Sequence, residues 1–425
     1  MEASAASTDT NLEAIDLTDR ALFRTGFPHE VFTRLRREAP IWWHPATPGC
    51  AEIGGDGFWV LSRHVDIQTA SRAPELFTAT DGPGLPQERQ RNSPMLTNMD
   101  GERHLRQRKL ISAGFTPRMT KRLEEQARGW AVSIVEAALE RETCNFVQDV
   151  AYQLPMHMIA DIVGIPIEDR APIFELVNDL LTCTDPEHRV GVDQRDAIAA
   201  ELFQYGQELS KRKRQQPEDD VWSLLTRAPA SSGGEEEGRL DAFELDGFFV
   251  LLTAAGSETT RNAISLGLMA LLDNEEQLAR LRDDPSVRRS ATEEIIRFTS
   301  PVSYFRRTVT QDTELSGVSL RAGERVSLWY ASGNRDEAVI DDPFRFDISR
   351  ENNDHVAFGG GGPHFCLGAH LARREITILF EELLSRVGHI ERIGEPVFGV
   401  QGIGNPIVVS LKDLPVRLSE RPAPA

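Results

Sequence analysis

Apolar residues recur three and four apart over Pro28–Ala39, Arg118–Glu142, Ala151–Val163, Glu168–Leu181 and Asp193–Arg214, and this spacing predicts amphipathic helices. One run differs. Leu240–Asp273 contains FFVLLTAAGSETTRNAISLGLMALL, apolar almost all round, which predicts a helix at the centre of a large core. Asp241, with Glu244 three residues on, supplies a capping-box start. At 1.5 Å per residue this helix is roughly 50 Å long. Alternating patterns are short and scattered. Gly57–Ser62, Thr308–Leu320, Val326–Tyr330, Ile407–Ser410 and Val416–Leu418 read as strands, and Leu367–Val387 as a last long helix. The expected class is mainly α with small β-sheets.

Between these elements, Val65–Ser71 reads as a helix start, and Asp81–Asn98 is a long Gly- and Pro-bearing loop of the kind that is more often functional than structural. Ala228–Gly238 is a short polar surface loop, too short to separate two cores. Residues 18–420 are therefore expected to form one unit, with flexible ends at 1–17 and 421–425.

Composition narrows the partners. A net charge of −19 argues against nucleic acid or an anionic membrane. The four cysteines, Cys50, Cys144, Cys183 and Cys366, show no C-x-x-C spacing and suit free thiols in a reducing cytoplasm. No secretory signal is expected from MEASAASTDTNLEA, and no run of eighteen apolar residues predicts a membrane span.

Three stretches carry chemistry. Phe358–Arg374 reads FGGGGPHFCLGAHLARR, and its glycines let the backbone approach a flat ligand. Cys366 stands at the mouth of a helix, where free amides and the macrodipole favour thiolate and are expected to lower its pKa. The plainer reading is a glycine-rich turn with a core cysteine. In the central helix, Ala255, Gly256, Ser257, Glu258, Thr259 and Thr260 break the apolar run. Hydroxyls there can bond back to preceding carbonyls and bend the helix, and such a break in a core element marks either a site or a satisfied polar patch. In Asp100–Pro117, His104 and Arg108 share a helix face able to receive a carboxylate, while Leu105, Leu110 and Ile111 are expected to turn inward. Alone, that face reads as solvated charge. Glu294 and Arg297 form an E-x-x-R pair that is uninformative by itself.

Taken in order, AGSETT (255–260), E-x-x-R (294–297), the irregular charged segment Asn334–Arg350 and the cysteine loop (358–368) resemble the cytochrome P-450 family in its soluble bacterial form, over about Pro28–Leu418. One departure is visible: Phe358 lies eight residues before the cysteine, where the family's aromatic usually lies seven before, and Gly359 takes the seventh place. The longer glycine run resembles actinobacterial members acting on sterol and lipid side chains. APIWWHP (39–45), NMDGERHLRQRKLISAGFTPR (98–118) and ETTRNAIS (258–265) resemble the steroid side-chain hydroxylases among them; GVQGIGNPI (399–407) does not.

The resemblance implies a triangular α-rich prism with haem b (iron protoporphyrin IX) between the long central helix and the cysteine loop. It implies Cys366 as axial ligand of the iron, with Phe358, Gly359, Gly368 and Ala255 against the cofactor. It implies His104, Arg108, Arg307 and His364 as propionate contacts, and Glu294, Arg297 and Arg345 as a brace for the loop. Glu258 and Thr259 match the acid–alcohol pair that delivers protons during oxygen activation. Helical spacing from Thr259 puts Leu251, Ala254 and Ala255 towards the haem, with Val302 and Tyr304 on a neighbouring wall. Asp81–Asn98 is then a lid and Phe398–Ile403 a turn over the pocket.

The implied activity is insertion of one oxygen atom of O2 into an unactivated C–H bond of a bulky lipophilic substrate, steroid- or terpenoid-like. A tailoring enzyme performing epoxidation, desaturation or ring coupling is an alternative, and a non-catalytic haem protein another. A phosphate cradle fails because no Lys-Ser/Thr follows the glycines. Electrons are expected from a separate ferredoxin and its NAD(P)H-dependent reductase, docking at Arg108, Lys109, Arg373 and Arg374 of a cytoplasmic monomer.

Overall fold

A computed structural model of the chain describes residues 12–86, 93–185, 190–227, 239–401 and 408–421. Its helices are α1 (His29–Glu38), α2 (His64–Arg72), α3 (Gly101–Gly114), α4 (Pro117–Arg141), α5 (Gln153–Val163), α6 (Ile167–Thr182), α7 (Arg195–Gln215), α8 (Val221–Arg227), α9 (Ala242–Leu272), α10 (Glu275–Asp283), α11 (Arg288–Thr299), the single turn α12 (Tyr330–Gly333) and α13 (Ala369–Arg386). The strands are β1 (Ile41–His44), β2 (Phe58–Leu61), β3 (Phe77–Thr78), β4 (Thr143–Asn145), β5 (Phe305–Val309), β6 (Thr313–Leu315), β7 (Val318–Leu320), β8 (Arg325–Leu328), β9 (Val387–Arg392), β10 (Val397–Gln401), β11 (Val408–Asp413) and β12 (Pro415–Glu420). They form a five-stranded sheet in the order β1-β2-β8-β5-β3, a three-stranded sheet β4-β12-β9, and the pairs β6-β7 and β10-β11. Ala228–Gly238, part of Asp81–Asn98 and the last two positions of Phe398–Ile403 fall outside the described residues, while Phe398–Gln401 belongs to strand β10 rather than a turn.

The axis of the fold is α9. Its start is the expected capping box: the Glu244 amide donates to Asp241 Oδ1 (2.7 Å), and the Asp241 amide donates to Glu244 Oε2 (3.2 Å). Helices α5, α7, α11 and α13 pack around it, and its apolar residues form the largest hydrophobic cluster with theirs. Within this core the hydroxyls of Thr253, Ser257, Thr259 and Ser265 each donate to the carbonyl four residues back, so these donors are satisfied within the helix. A second cluster, under the five-stranded sheet, stacks Trp329 on Phe23 and Tyr304 and packs it against the tilted ring of Phe32.

Two local expectations change. In α3 the inward face is His104, Gln107, Ile111 and Gly114, whereas Leu105 is exposed, because the periodicity of that face runs through polar residues. The packed chain also begins before residue 18. Ile15 and Leu17 are buried, and the Leu17 amide donates to Nε2 of His44 at 2.9 Å. At the other end the Arg421 amide still bonds the carbonyl of Arg386, at 2.7 Å.

The element that positions the cysteine loop is α11. Glu294 and Arg297 have no solvent exposure and meet at 2.7 Å. Arg297 also donates to the carbonyls of Asn334 (2.8 Å) and Pro343 (2.9 Å), and Glu294 accepts from the Asp347 amide (2.9 Å). The third basic member is Arg350, not Arg345. Arg350 Nε lies 3.2 Å from Glu294, while the Arg345 side chain is 64% exposed and faces Asp347 at 3.9 Å, contributing only its backbone carbonyl to the brace. Residue 345 sits at a bend whose carbonyl points inward, so its side chain turns out. One position earlier on α11, Glu293 receives Arg373 of α13 (2.6 Å) and His355 (3.1 Å), tying helix to loop a second time. Burial pushes the Glu293 carboxyl up, but the hydrogen bonds from His355 and Arg373 outweigh it and hold it at about 2.

Arg350→Ala is expected to cost roughly 3 kcal/mol of stability, because it leaves a buried carboxylate under-paired; Arg345→Ala should cost under about 0.5 kcal/mol. Equal shifts of the urea midpoint in the two variants would reject this assignment. For Glu293 the folded value lies below the ordinary 4.5. Its contribution is therefore fully present above pH 4.5 and is lost as pH falls towards 2. Glu293→Gln should lower the urea midpoint at pH 7 and flatten the acid limb in that window, and stability–pH curves that simply run parallel would remove the role.

Candidate active site

The cysteine loop is held from both sides. On one side the Cys366 amide donates to the carbonyl of Phe358 (2.9 Å), and Arg373 lies over the Phe358 ring, 4.5 Å from its centroid. On the other the glycine run rests on the backbone of α2. A Cβ at Gly360 would come within 2.7 Å of Ser71 Oγ and 2.9 Å of the Ile67 carbonyl oxygen, and one at Gly362 within 2.5 Å of the Ser71 carbonyl oxygen. Gly362 is also left-handed, at φ +74°. Only glycine fits both demands.

Cys366 itself lies deep in the molecule, yet its side chain presents accessible surface, as does Ala255 in the middle of α9. The expectation of a lowered thiol pKa is corrected. Burial pushes the Cys366 thiol up, and the opposing pulls of the Gly368 amide, Arg108 and Arg373 do not overcome it. A macrodipole and one amide are too weak against desolvation of a full charge; a bound metal cation would deprotonate the thiol outright.

Around the loop sits a cluster of basic groups. His104 is 1% exposed, and neither of its ring nitrogens has a hydrogen-bond partner. Its ring is 4.3 Å from that of His364, whose Nε2 lies 2.7 Å from Asp100 Oδ1. Burial first, then the neighbouring His364, Arg108 and Arg307, hold His104 down at about 4. Arg307 is buried and donates to the carbonyl of Arg306, and among the described residues neither it nor Arg108 has an ion-pair carboxylate. Asp100 was missed in the sequence. Its other oxygen accepts from the hydroxyl of Thr78 (2.6 Å) and the amide of Ala79 (2.7 Å), so this carboxylate orients His364 from three elements at once. Buried donors with no acceptor and cations with no counter-charge fit a dianionic ligand lying beside Cys366.

The remaining predicted residues divide. Leu251 and Ala254 are half-buried and Ala255 exposed on one face of α9, with Thr259 half-buried beyond them. Val302 is half-buried and packs against the apolar cluster that contains Val326 and Leu328 of β8. Tyr304 is not a pocket wall: it has no exposed surface and stacks on Trp329 at 4.7 Å, a core residue of the β-rich side. Thr259 and Glu258 are not brought together. Successive helical positions diverge, and Glu258, 3% exposed, turns to Arg261 (2.5 Å) and Asn262 (3.0 Å). Arg261 in turn lies 5.6 Å from the Tyr152 ring centroid. Of the four basic residues expected to receive a partner, Lys109 is exposed, but Arg373 is paired with Glu293 and Arg374 with Glu124 (2.9 Å).

Among the described residues no group of three His, Cys, Asp or Glu side chains is placed to hold a metal ion. An accessible thiol beside cations without a carboxylate partner is a donor set that suits a metal carried in an acidic macrocycle. The residues therefore fit haem: Cys366 would hold the iron, and His104, Arg108, Arg307 and His364 would receive the propionates.

Comparison with known proteins agrees. The cytochrome P-450 family profile matches residues 287–389. A steroid C26-monooxygenase of Rhodococcus jostii is 38% identical over 90% of this chain and 81% of its own length. A methyl-branched lipid omega-hydroxylase of Mycobacterium tuberculosis is 38% identical, over 91% and 90%. The Mycobacterium marinum cytochrome P-450 solved in complex with pseudoionone superposes with a TM-score of 0.82 at 36% identity, covering 96% of each chain. With fold, ordered motifs and near full-length relatives in agreement, this chain belongs to the cytochrome P-450 family of monooxygenases.

Proposed function

We propose that this enzyme hydroxylates an unactivated C–H bond of an elongated lipophilic molecule, steroid- or terpenoid-like or a branched lipid. The observation that carries this is the face of α9. Leu251, Ala254 and Ala255 offer an apolar wall with no charged side chain among them, and its Ala255 edge leads round the helix to Thr259. Such a wall binds by area and shape and orients a substrate through few polar anchors. The relatives named for steroid and branched-lipid oxidation support the same class.

Haem b, ligated by Cys366, supplies the iron-centred activation of O2. The protein's own residues manage protons and access. The Thr259 hydroxyl donates to the Ala255 carbonyl at 2.8 Å, which leaves its oxygen lone pairs free to hold a water on the open side of the helix. Glu258 is the proton relay from outside. To serve Thr259 it must exchange its contact with Arg261 for water, so the ion pair sets the resting position of the carboxylate. Electrons come from a separate ferredoxin and an NAD(P)H-dependent reductase. Because Arg373 and Arg374 already have partners and Arg108 is assigned to a propionate, the exposed Lys109 remains as the better contact for an acidic donor. A cytoplasmic setting is supported by four unbridged cysteines; among the described residues no helix is long and apolar enough to cross a membrane.

The direct test is a spin-state titration of the ferric protein against steroids, terpenoid alcohols and branched fatty acids. A saturable low-to-high-spin shift with one of these classes is expected; shifts only with compact polar compounds would discard the reading. Thr259→Ala is expected to keep haem and substrate binding while product per NAD(P)H falls by about tenfold or more and peroxide rises, in line with the size of a general-acid contribution. Unchanged coupling in that variant would remove Thr259 from proton delivery.

A further inference from the structure

Helix α9 is bare at Gly247, and one residue explains why. A Cβ built there would lie 2.5 Å from Cγ, 2.6 Å from Cβ and 3.0 Å from the carbonyl carbon of Pro94. Glycine inside a helix costs roughly 1 kcal/mol relative to alanine, so the helix alone gives no reason for it. Pro94 is itself buried, and its carbonyl accepts from Nε2 of Gln107, a side chain of α3 with no solvent exposure, at 3.2 Å. The segment after Ser93 is thus clamped between α3 and α9. Further along, the Asn98 amide returns to the Met95 carbonyl (2.9 Å), so the clamp leads into an ordered turn.

The position of the clamp along α9 gives it meaning. At about 100° per residue, Leu251, Ala254 and Ala255 all fall within about 80° of Gly247 around the helix. The face that forms the apolar wall therefore ends, towards the helix N-terminus, against Pro94. At 1.5 Å per residue the distance from Gly247 is about 12 Å to Ala255 and about 18 Å to Thr259.

We propose that Gly247 is a specificity-determining position for the reaction. By letting Pro94 rest on the helix backbone, it fixes the end wall of the substrate cavity. It thereby sets the length of molecule that can lie along α9 with its oxidised end at Thr259. Gln107 is a positioning residue for the same wall. The inference rests on the reading of this face as the substrate wall, and the span of about 18 Å along the helix suits an elongated lipophile over a compact one.

The test separates wall length from substrate identity. Haem-loaded protein is titrated with n-alkylimidazoles from butyl to dodecyl, whose ring nitrogen binds iron whatever the natural substrate, and binding is read from the absorbance shift. In the unmodified enzyme affinity should rise about fourfold per methylene, the transfer free energy of one buried CH2, and then stop where the tail meets Pro94. In Gly247→Ala the added methyl displaces Pro94. The break should then move by at least one methylene, with butylimidazole affinity unchanged. Pro94→Gly, which leaves α9 untouched, should blur or abolish the break. A series with no break in the unmodified enzyme, or a break at the same length in all three proteins, overturns the proposal. So does an equal loss across the series in Gly247→Ala together with an unmoved break in Pro94→Gly. If no steroid or lipid shifts the spin state but the break moves as expected, the substrate class falls and the role of Gly247 stands.

Discussion

The buried pair of Glu294 and Arg297 is the interaction on which the rest of this structure depends. Two charges with no solvent exposure are costly to desolvate, and the cost is offset only because every remaining donor and acceptor is used. Arg297 fills its valences with carbonyls from the irregular segment, and Glu294 fills its own with the Asp347 amide, Arg350 and Asn353. An irregular stretch with little secondary structure is thereby fixed to α11 at several points. The cysteine loop follows directly and inherits that rigidity.

From that anchor the site is assembled by close contact rather than by flexible reach. Glycines of the loop lie on α2, Arg373 lies on Phe358, and Asp100 orients His364 while holding β3. The electrostatics are deliberately incomplete. Arg108 and Arg307 stand in a partly dry place without a carboxylate, and they help keep the buried His104 uncharged beside them, an arrangement that an anionic ligand relieves.

Much of this was legible in the sequence, and the parts that were not share a cause. The long central helix, its capping box and the alcohols bonding back along it follow from local periodicity and chemistry, and all are present. Cys366 and the polar break at Glu258–Thr259 stand out because they interrupt glycine-rich or apolar patterns, whereas His104 and Glu294 say nothing alone and take their roles from the resemblance of the ordered motifs. Arg345 and Tyr304 misled because irregular chain has no period from which to read direction: Arg350, five residues on, points inward, and Tyr304 turns under the sheet towards Trp329. The thiol of Cys366 misled differently. Its neighbours argue for a lowered pKa, but burial is a property of the whole fold and no local motif reports it. Pro94 against Gly247 belongs to the same group, since a glycine in a helix states that something comes close without saying what.

The cluster of His104, Arg307 and His364 also bears on how the chain reaches its native state. Its members come from α3, β5 and the loop before α13, so closing the site joins parts of the chain separated by more than two hundred residues, at a large entropic cost. A buried His104 without a hydrogen-bond partner and an Arg307 without a carboxylate at the meeting point give that closure little reward of its own. Capture of the cofactor is then part of folding: the dianion supplies the attraction that the polypeptide withholds, and binding only to the closed form stabilises it by mass action. Apparent thermal stability becomes a function of cofactor supply, and in a cell short of haem this chain would be cleared as an incompletely folded protein before it was ever an inactive enzyme.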